Sequence, residues 1–176
     1  MSPVCDVPGM SLASKAFAGF DVDGRHIRIV ITDAARIVEA TALARRELDS
    51  AFDVFSATRL QSELQKLNRS FGRTMRVSPA MAEHLRRALA AAESSGGAVD
   101  PLGAGSGSYQ DIDFDGTSVR LPQWGTLDLD GTAPEAAARR VEASIARRFG
   151  CDVVITVSGA RRDDGRSPRH SWISAS

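Results

Sequence analysis

Between Gly24 and Thr32, Ile27, Ile29 and Ile31 are interleaved with Arg28 and Val30. A period of two with one apolar face predicts a β-strand. The period then lengthens. Ile37, Thr41, Ala44, Leu48, Phe52 and Phe55 recur at spacings of three and four, which lays one stripe along an α-helix, and Asp33 stands where a capping side chain belongs. Ser78-Pro79 is a second start signal, a capping hydroxyl followed by a first-turn proline. It opens a stripe through Met81, Leu85, Ala88, Leu89 and Ala92 that ends in Ser94-Ser95-Gly96-Gly97. In "DIDFDGTSVRL" the alternating Ile112 and Phe114, then Val119 and Leu121, flank Asp115-Gly116, the pattern of a hairpin. Ala137, Val141, Ile145 and Phe149 stripe a third helix that Gly150 ends. "DVVITV", Asp152 to Val157, predicts a buried strand, and "SWIS" near the end predicts the start of another.

These elements predict an α+β fold, helices packed on a mostly antiparallel sheet, with a β-α-β segment in the C-terminal third. Residues 1–16, with Pro3, Pro8 and Gly9 and no periodicity, are expected to form a loose leader, and residues 17–176 a single domain.

Composition narrows the chemistry. The 176 residues suffice for one substantial core, and 22 Lys and Arg balance 22 Asp and Glu, so no net charge draws the chain to nucleic acid or an anionic membrane. Between Arg139 and Arg169 eight arginines face Glu142, Asp152, Asp163 and Asp164, but only Phe149 and Trp172 interleave as aromatics. That pattern reads as a solvated face, and nucleic-acid binding is not expected. Cys5 and Cys151 have neither metal-type nor disulfide-framework spacing. No apolar run is long enough to span a bilayer and no secretory signal is evident, so a cytoplasmic protein without membrane attachment is expected. His26, His84 and His170 are scattered, and "GAGSGS", Gly103 to Ser108, lacks the strand and helix that frame a phosphate loop; a connector is expected there.

Four blocks follow one another in a fixed order: "FSATRLQSELQKLN" (Phe55 to Asn68), "GGAVDPL" (Gly96 to Leu102), "LDLDGTA" (Leu127 to Ala133) and "VSGARRDDG" (Val157 to Gly165). The series resembles the FAD:protein FMN transferases, the ApbE-type flavin transferase family, which shows F-S…S-E-L-x-x-L-N, G-x-x-D-P, D-L-G-G-I-A-K-G and G-G-D blocks in that order. The resemblance runs from about Phe17 to Ser174. It implies the N-terminal and central part of a T-fold-like architecture. It also implies FAD and magnesium as cofactors, and transfer of FMN to a threonine of an acceptor flavoprotein with release of AMP. The positions it marks for cofactor binding are Glu63, Asn68, Asp100, Tyr109, Gly131, Ala133 and Gly159. The backbone carbonyl of Ala133 is the one metal ligand it carries over, and it identifies no catalytic residue.

The residues also depart from the family. Asp130 stands at a glycine position, Pro134 at the lysine and Glu135 at the following glycine, while Ala160 and Arg161 replace the last two residues of the G-G-D block. Pro134 has neither an N–H nor a charge, and Glu135 sets a carboxylate where a phosphate is drawn. Family members continue beyond the equivalent of Ser176 through a segment supplying aspartate and threonine metal ligands, so the domain is expected to be incomplete at its C-terminus.

Each marked residue has a plainer reading. Thr132 and Glu135 form a T-x-x-E capping box with proline in the first turn. Ser62 and Glu63 cap and support a short helix. Asp100-Pro101 makes a turn, and Tyr109 and Trp124 are buried or half-buried packing aromatics. Two functions therefore stand side by side. One is a flavin transferase, active alone or completed by another chain; the other is a non-catalytic flavin-binding or interaction module. An unpaired edge beside "DVVITV" and "SWIS" further implies a homodimer or a completing chain at the C-terminal strands.

Overall fold

The computed structural model describes residues 15–103 and 105–158. β1 (Ala16–Val22) and β2 (Arg25–Ile31) form a hairpin, registered from Ala16 opposite Ile31 to Val22 opposite Arg25. Asp23 and Gly24 turn it with φ of 54° and 72°. Positive φ at both turn residues matches the right-handed twist of the strands, which is why an Asp-Gly pair serves here. Phe20, Val22, Ile27, Ile29 and Ile31 point to one face and are buried. The sequence pattern does not announce β1, because its inward positions Ala16 and Ala18 are small and its outward Phe17 is apolar yet 71% exposed.

β6 (Val153–Val157) lies antiparallel on the other side of β2, with Ile31 opposite Val153 and Ile27 opposite Val157, giving the order β1-β2-β6. Of its residues only Ile155 is fully buried. That corrects the expectation of a buried strand: β6 lies at the edge of the described sheet, covered on one face.

α1 (Ile37–Phe55) follows a single tight turn, Ala34–Arg36, whose Ala35 amide donates to the Asp33 carboxylate at 3.0 Å. Ala40, Leu43, Ala44, Leu48, Phe52 and Phe55 face inward. Ile37 and Thr41 flank this stripe and are only half-buried, and the Thr41 hydroxyl donates to the Ile37 carbonyl at 2.6 Å. α2 (Glu63–Asn68) is capped by Ser62, which accepts from the Gln65 amide at 3.1 Å. α3 (Pro79–Ser94) is capped by Ser78 and buries Met81, Leu85, Ala88 and Ala92, with Leu89 at the margin. α4 (Ala133–Phe149) buries Ala137, Val141 and Ile145 and stops at Gly150, whose φ of 66° is the left-handed conformation glycine takes without strain.

A second sheet, in the order β3-β5-β4, joins β3 (Met75–Arg76), β5 (Ser118–Arg120) and β4 (Asp113–Phe114), all antiparallel. β4 and β5 are the expected hairpin, its turn closed by Asp115 accepting from the amides of Thr117 and Ser118. The β-α-β segment expected in the C-terminal third is present in the order β5-α4-β6, but its two strands belong to different sheets and do not pair. The architecture is α+β throughout, with one core shared by the large sheet and the helices.

Candidate functional site

Asn68 ends α2 and reaches across to a segment 59 residues later. Its side-chain Nδ2 donates to the Leu127 carbonyl at 3.0 Å, while its Oδ1 accepts from the Leu127 amide at 2.8 Å. A carboxamide is suited to this because it carries a donor and an acceptor on one plane. Leu127 in turn bridges Leu102; Gly103 donates to the Thr126 carbonyl at 2.9 Å and Asp128 to that of Pro101 at 2.7 Å. Asp100 folds the same loop, accepting from the Leu102 amide at 2.9 Å and from the Tyr109 amide at 3.0 Å. Tyr109 is half-buried and opens a one-turn helix, Tyr109–Asp111, held by a reciprocal cap between Ser108 and Asp111.

The product is a cleft of about 340 Å³ between the end of α3, the loop at residues 99–103 and the turn leading into α4. Ala88, Val99 and Pro101 supply apolar wall; Asp100, Asp128 and Thr132 supply polar groups, and Gly131 lies at its edge without a side chain. Asp100 and Gly131 therefore line one cleft, Asn68 and Tyr109 are tied to its walls by hydrogen bonds, and Ala133 is buried in the core beside it and does not line it.

The start of α4 differs from its expected form. Thr132 occupies the cap position with φ −133° and ψ −37°, and its side chain makes no capping bond. Glu135 is paired with Arg139 on the exposed face instead of reaching back, so the capping box is not made. The backbone closes the turn alone: the amides of Thr132 and Ala133 both donate to the Leu129 carbonyl, at 3.1 and 2.9 Å. With those donors engaged and Pro134 having none, the helix start offers little to an anion.

Charge at the rim is negative. Asp128 is exposed and accepts from the Asp130 amide. Asp130 is paired with Arg25 at 2.9 Å, and Arg25, with only 8% of its side chain exposed, also lies over the Phe52 ring. Among the described residues no three His, Cys, Asp or Glu side chains are grouped to hold a metal ion. The Ala133 carbonyl alone cannot satisfy magnesium, which takes near-octahedral oxygen coordination.

Glu63 lies elsewhere. Its two carboxylate oxygens accept from the Ser78 amide and hydroxyl, both at 2.6 Å, tying α2 to the cap of α3. Trp124 is 74% exposed, against the expectation of burial, and meets Phe71 edge-on with ring centroids 6.3 Å apart. Proline and glycine on either side hold it in a surface turn, where Gly125 donates to the Pro122 carbonyl. Gly159, Ala160 and the "SWIS" segment lie outside the described residues, as do Cys5 and residues 1–14.

Two groups were not foreseen. Arg25 reads in the sequence as an ordinary strand-end cation, and its link to Asp130 spans most of the chain. Asp23 is the centre of a polar knot, accepting from the hydroxyls of Ser56 (2.7 Å) and Thr58 (2.9 Å) and from Arg59 Nε (3.2 Å). Arg59 also binds Asp49 and Asp53. Burial works against its charge, but the three carboxylates outweigh that and hold its proton more tightly than usual. An Asp-Gly turn before a strand, together with F-S after a helix, is the only sequence trace of this knot.

Residues 24–105 match the profile of the ApbE family. The fold is that of solved ApbE proteins. The ApbE protein from Thermotoga maritima superposes with a TM-score of 0.73 at 18% identity over 82% of this chain and 57% of that one. The flavinyl transferase ApbE from Pseudomonas stutzeri gives 0.70 at 15% identity over 85% and 61%. The flavin transferase ApbE from Vibrio cholerae gives 0.71 at 15% identity over 82% and 57%. The chain thus spans 57–61% of the length of these structures. No curated protein sequence matches it significantly.

Proposed function

The chain belongs, through residues 24–105, to the ApbE family, and from that premise we propose that it binds a flavin nucleotide in the cleft beside Asp100 and Gly131 and takes part in flavin transfer to an acceptor protein. The observation that supports this best is the clamp of Asn68 on Leu127. It draws the S-E-L-x-x-L-N, D-P and D-L-x-G blocks into one cleft although they lie far apart in the sequence. In this reading Asn68 fixes the strand segment that forms the floor, Asp100 fixes the loop that forms the wall, and Tyr109 is anchored by Asp100 at the loop's exit.

FAD would supply the FMN group, with AMP as the leaving group when the pyrophosphate link is broken. The apolar wall suits a flat ring and the missing side chain of Gly131 leaves room for close approach. The described residues do not assemble a magnesium site, and the acidic rim and Pro134 disfavour bare phosphates. Transfer by this chain is accordingly expected to depend on groups outside the described residues, on its own chain or on a partner.

The test is incubation with FAD, magnesium and a threonine-bearing acceptor domain, read by intact-mass spectrometry. One FMN added to the acceptor supports transfer. The second reading, a non-catalytic flavin binder, is favoured by the spent donors at the start of α4; saturable FAD binding with no mass shift under any metal supports it. Absence of both overturns the proposal.

A further inference from the structure

The turn that follows α2 has a backbone that suits a different residue from the one it carries. The Arg73 amide closes it onto the Ser70 carbonyl at 3.2 Å, and its two inner residues, Phe71 and Gly72, have φ of 51° and 77°. Positive φ at both inner positions is the habit of an Asn-Gly pair, because a bulky side chain is strained in the left-handed region. Gly72 has a packing reason to be there: a Cβ on it would stand 3.2 Å from the Gln123 Cα, so this turn is pressed against the one at residues 122–125. Phe71 has no such reason. Its ring is 58% exposed and meets the exposed ring of Trp124. Leu60, also exposed, is joined to the same region through Arg69, which donates to the Leu60 carbonyl. The open parts of these three side chains amount to on the order of 300 Å² of apolar surface, the scale at which a patch on a monomer marks a contact site.

Beside them lies a groove of about 460 Å³ that includes Leu60, Lys66, Arg69, Arg73 and Met75 and has no carboxylate in its lining. Two of its three cations are held by neutral groups: Arg69 donates to the carbonyls of Gln65 and Leu60, and Arg73 to that of Ser70. A guanidinium held by carbonyls is fixed in place while its charge stays uncompensated, unlike Arg59, which three carboxylates surround. A second recess, containing Phe71 itself, is bordered by Asp111 and Arg120. There the charges are already engaged, Asp111 by the Ser108 amide and Arg120 by Asp113.

We propose that Phe71, Trp124 and the groove beside them are a docking surface for an acidic segment of a partner protein that carries a large apolar side chain. The apolar side chain packs on the two rings and Leu60, and its flanking carboxylates meet Lys66, Arg69 and Arg73. Exposed aromatic and arginine side chains held in place before binding are the kind that carry most of the energy of an interface, and the sign of the uncompensated charge selects the partner. Single-stranded nucleic acid fits less well. The two rings meet at 78°, so they present no parallel faces to successive bases, and Leu60 and Met75 present no ring at all. None of these residues lines the cleft at Gly131, and the proposal does not rest on the flavin reading.

The experiment pans a display library of random peptides, each about a dozen residues long, against the full chain. The enriched peptides are then synthesised and titrated by fluorescence anisotropy. The expected winners place Asp or Glu on either side of Phe, Trp or Leu and bind saturably. Phe71→Gly relieves the left-handed strain and Trp124 is exposed, so F71G/W124S should fold and should weaken binding by at least about tenfold, the scale of one lost aromatic anchor. K66E, a change at an exposed side chain, should weaken binding at low salt and less so at high salt. Several results overturn the proposal: no saturable peptide, winners without acidic residues or without an apolar anchor, or affinity unchanged in F71G/W124S. So does the discovery that an oligo(dT) strand or a second copy of the chain is what F71G/W124S releases.

Discussion

Asn68 holds Leu127 by both of its backbone polar groups, a donor and an acceptor on one side chain meeting an acceptor and a donor on one residue. Leu127 is itself 1% exposed, so its amide and carbonyl have no ready access to water if the clamp is lost. Asn68→Ala should therefore destabilise the chain by about 2–6 kcal/mol, the sum for two buried groups left unpaired. Asn68→Asp restores the acceptor alone and should recover part of the loss. Urea unfolding of the three proteins measures this; equal stability would show that the segment at Leu127 is held by its strand-like neighbours.

Arg25 and Asp130 make a second link into the same turn. Asp130→Asn removes the negative partner of a guanidinium that is almost wholly inside the protein. The expected cost is about 1–3 kcal/mol, because the remaining carboxamide can still accept one bond. The double variant with Arg25→Met should cost less than Asp130→Asn alone, since it removes the uncompensated charge too. Thermal unfolding of single and double variants decides between this and a surface pair of no consequence.

Glu135 contributes little to stability. Its pairing with Arg139 is exposed on both sides, so Glu135→Gln should change stability by less than about 0.5 kcal/mol. Removing a carboxylate from beside the Gly131 cleft should nevertheless raise FAD affinity. A fluorescence titration of FAD that gives the same dissociation constant for both proteins would place the nucleotide somewhere other than the start of α4.

Two groups set the acid limb of stability. The folded protein holds the His84 pKa below its ordinary 6.5, through burial first and then Arg87 and Arg140. The unfolded chain therefore takes up the proton earlier, and stability is full above 6.5 and falls as the pH drops below it toward the folded value. The Glu83 carboxylate opposes the two arginines and moderates the fall. His84→Gln should flatten the slope of unfolding free energy between about pH 7 and 5.

Asp115 acts further down. Hydrogen bonds from the Thr117 and Ser118 amides and the Thr117 hydroxyl hold its carboxyl below the usual range. Its stabilisation is present above the unfolded carboxylate pKa and is lost as pH falls through the lower folded one. The stability gap between the wild type and Asp115→Ala should close in acid, which unfolding curves at pH 7 and pH 3 would reveal.

Where a residue's role is set by neighbours in the chain, the sequence was readable. Ser62 and Ser78 cap the helices they precede, Gly150 ends α4, and Asp115-Gly116 turns a hairpin, while Asp33 caps the single turn Ala34–Arg36 and leaves α1 itself without a side-chain cap. Thr132 was the exception. The T-x-x-E pattern was present, but the chain entering from Leu129 closes on its own carbonyl and turns the threonine away from the cap. Residues whose partners lie far along the chain carried no local mark. The resemblance marks Asn68 as a cofactor position, yet spacing does not reveal its bonds to Leu127, nor those of Arg25 to Asp130 or Ser56 to Asp23. Ser62 supports the short helix α2 as its spacing predicts, but Glu63 instead holds the cap of α3 through Ser78, a partner 15 residues away that no local pattern marks. The exposure of Trp124 follows from the Pro122-to-Gly125 turn, a constraint stronger than the ring's hydrophobicity.

α4 is a single rod of 17 residues, about 25 Å long, and three parts of the molecule are fixed to it. Its first turn borders the Gly131 cleft, its flank with Arg139, Arg140 and Arg147 faces α1 and α3, and Glu142 midway along it accepts from the Ile155 amide at 2.6 Å, gripping the edge strand. A stiff element held at its start and at its middle cannot shift at one without loading the other. An occupant that displaces the start of the helix should thus register as faster hydrogen exchange at Ile155, which makes that amide a remote reporter of events at the cleft.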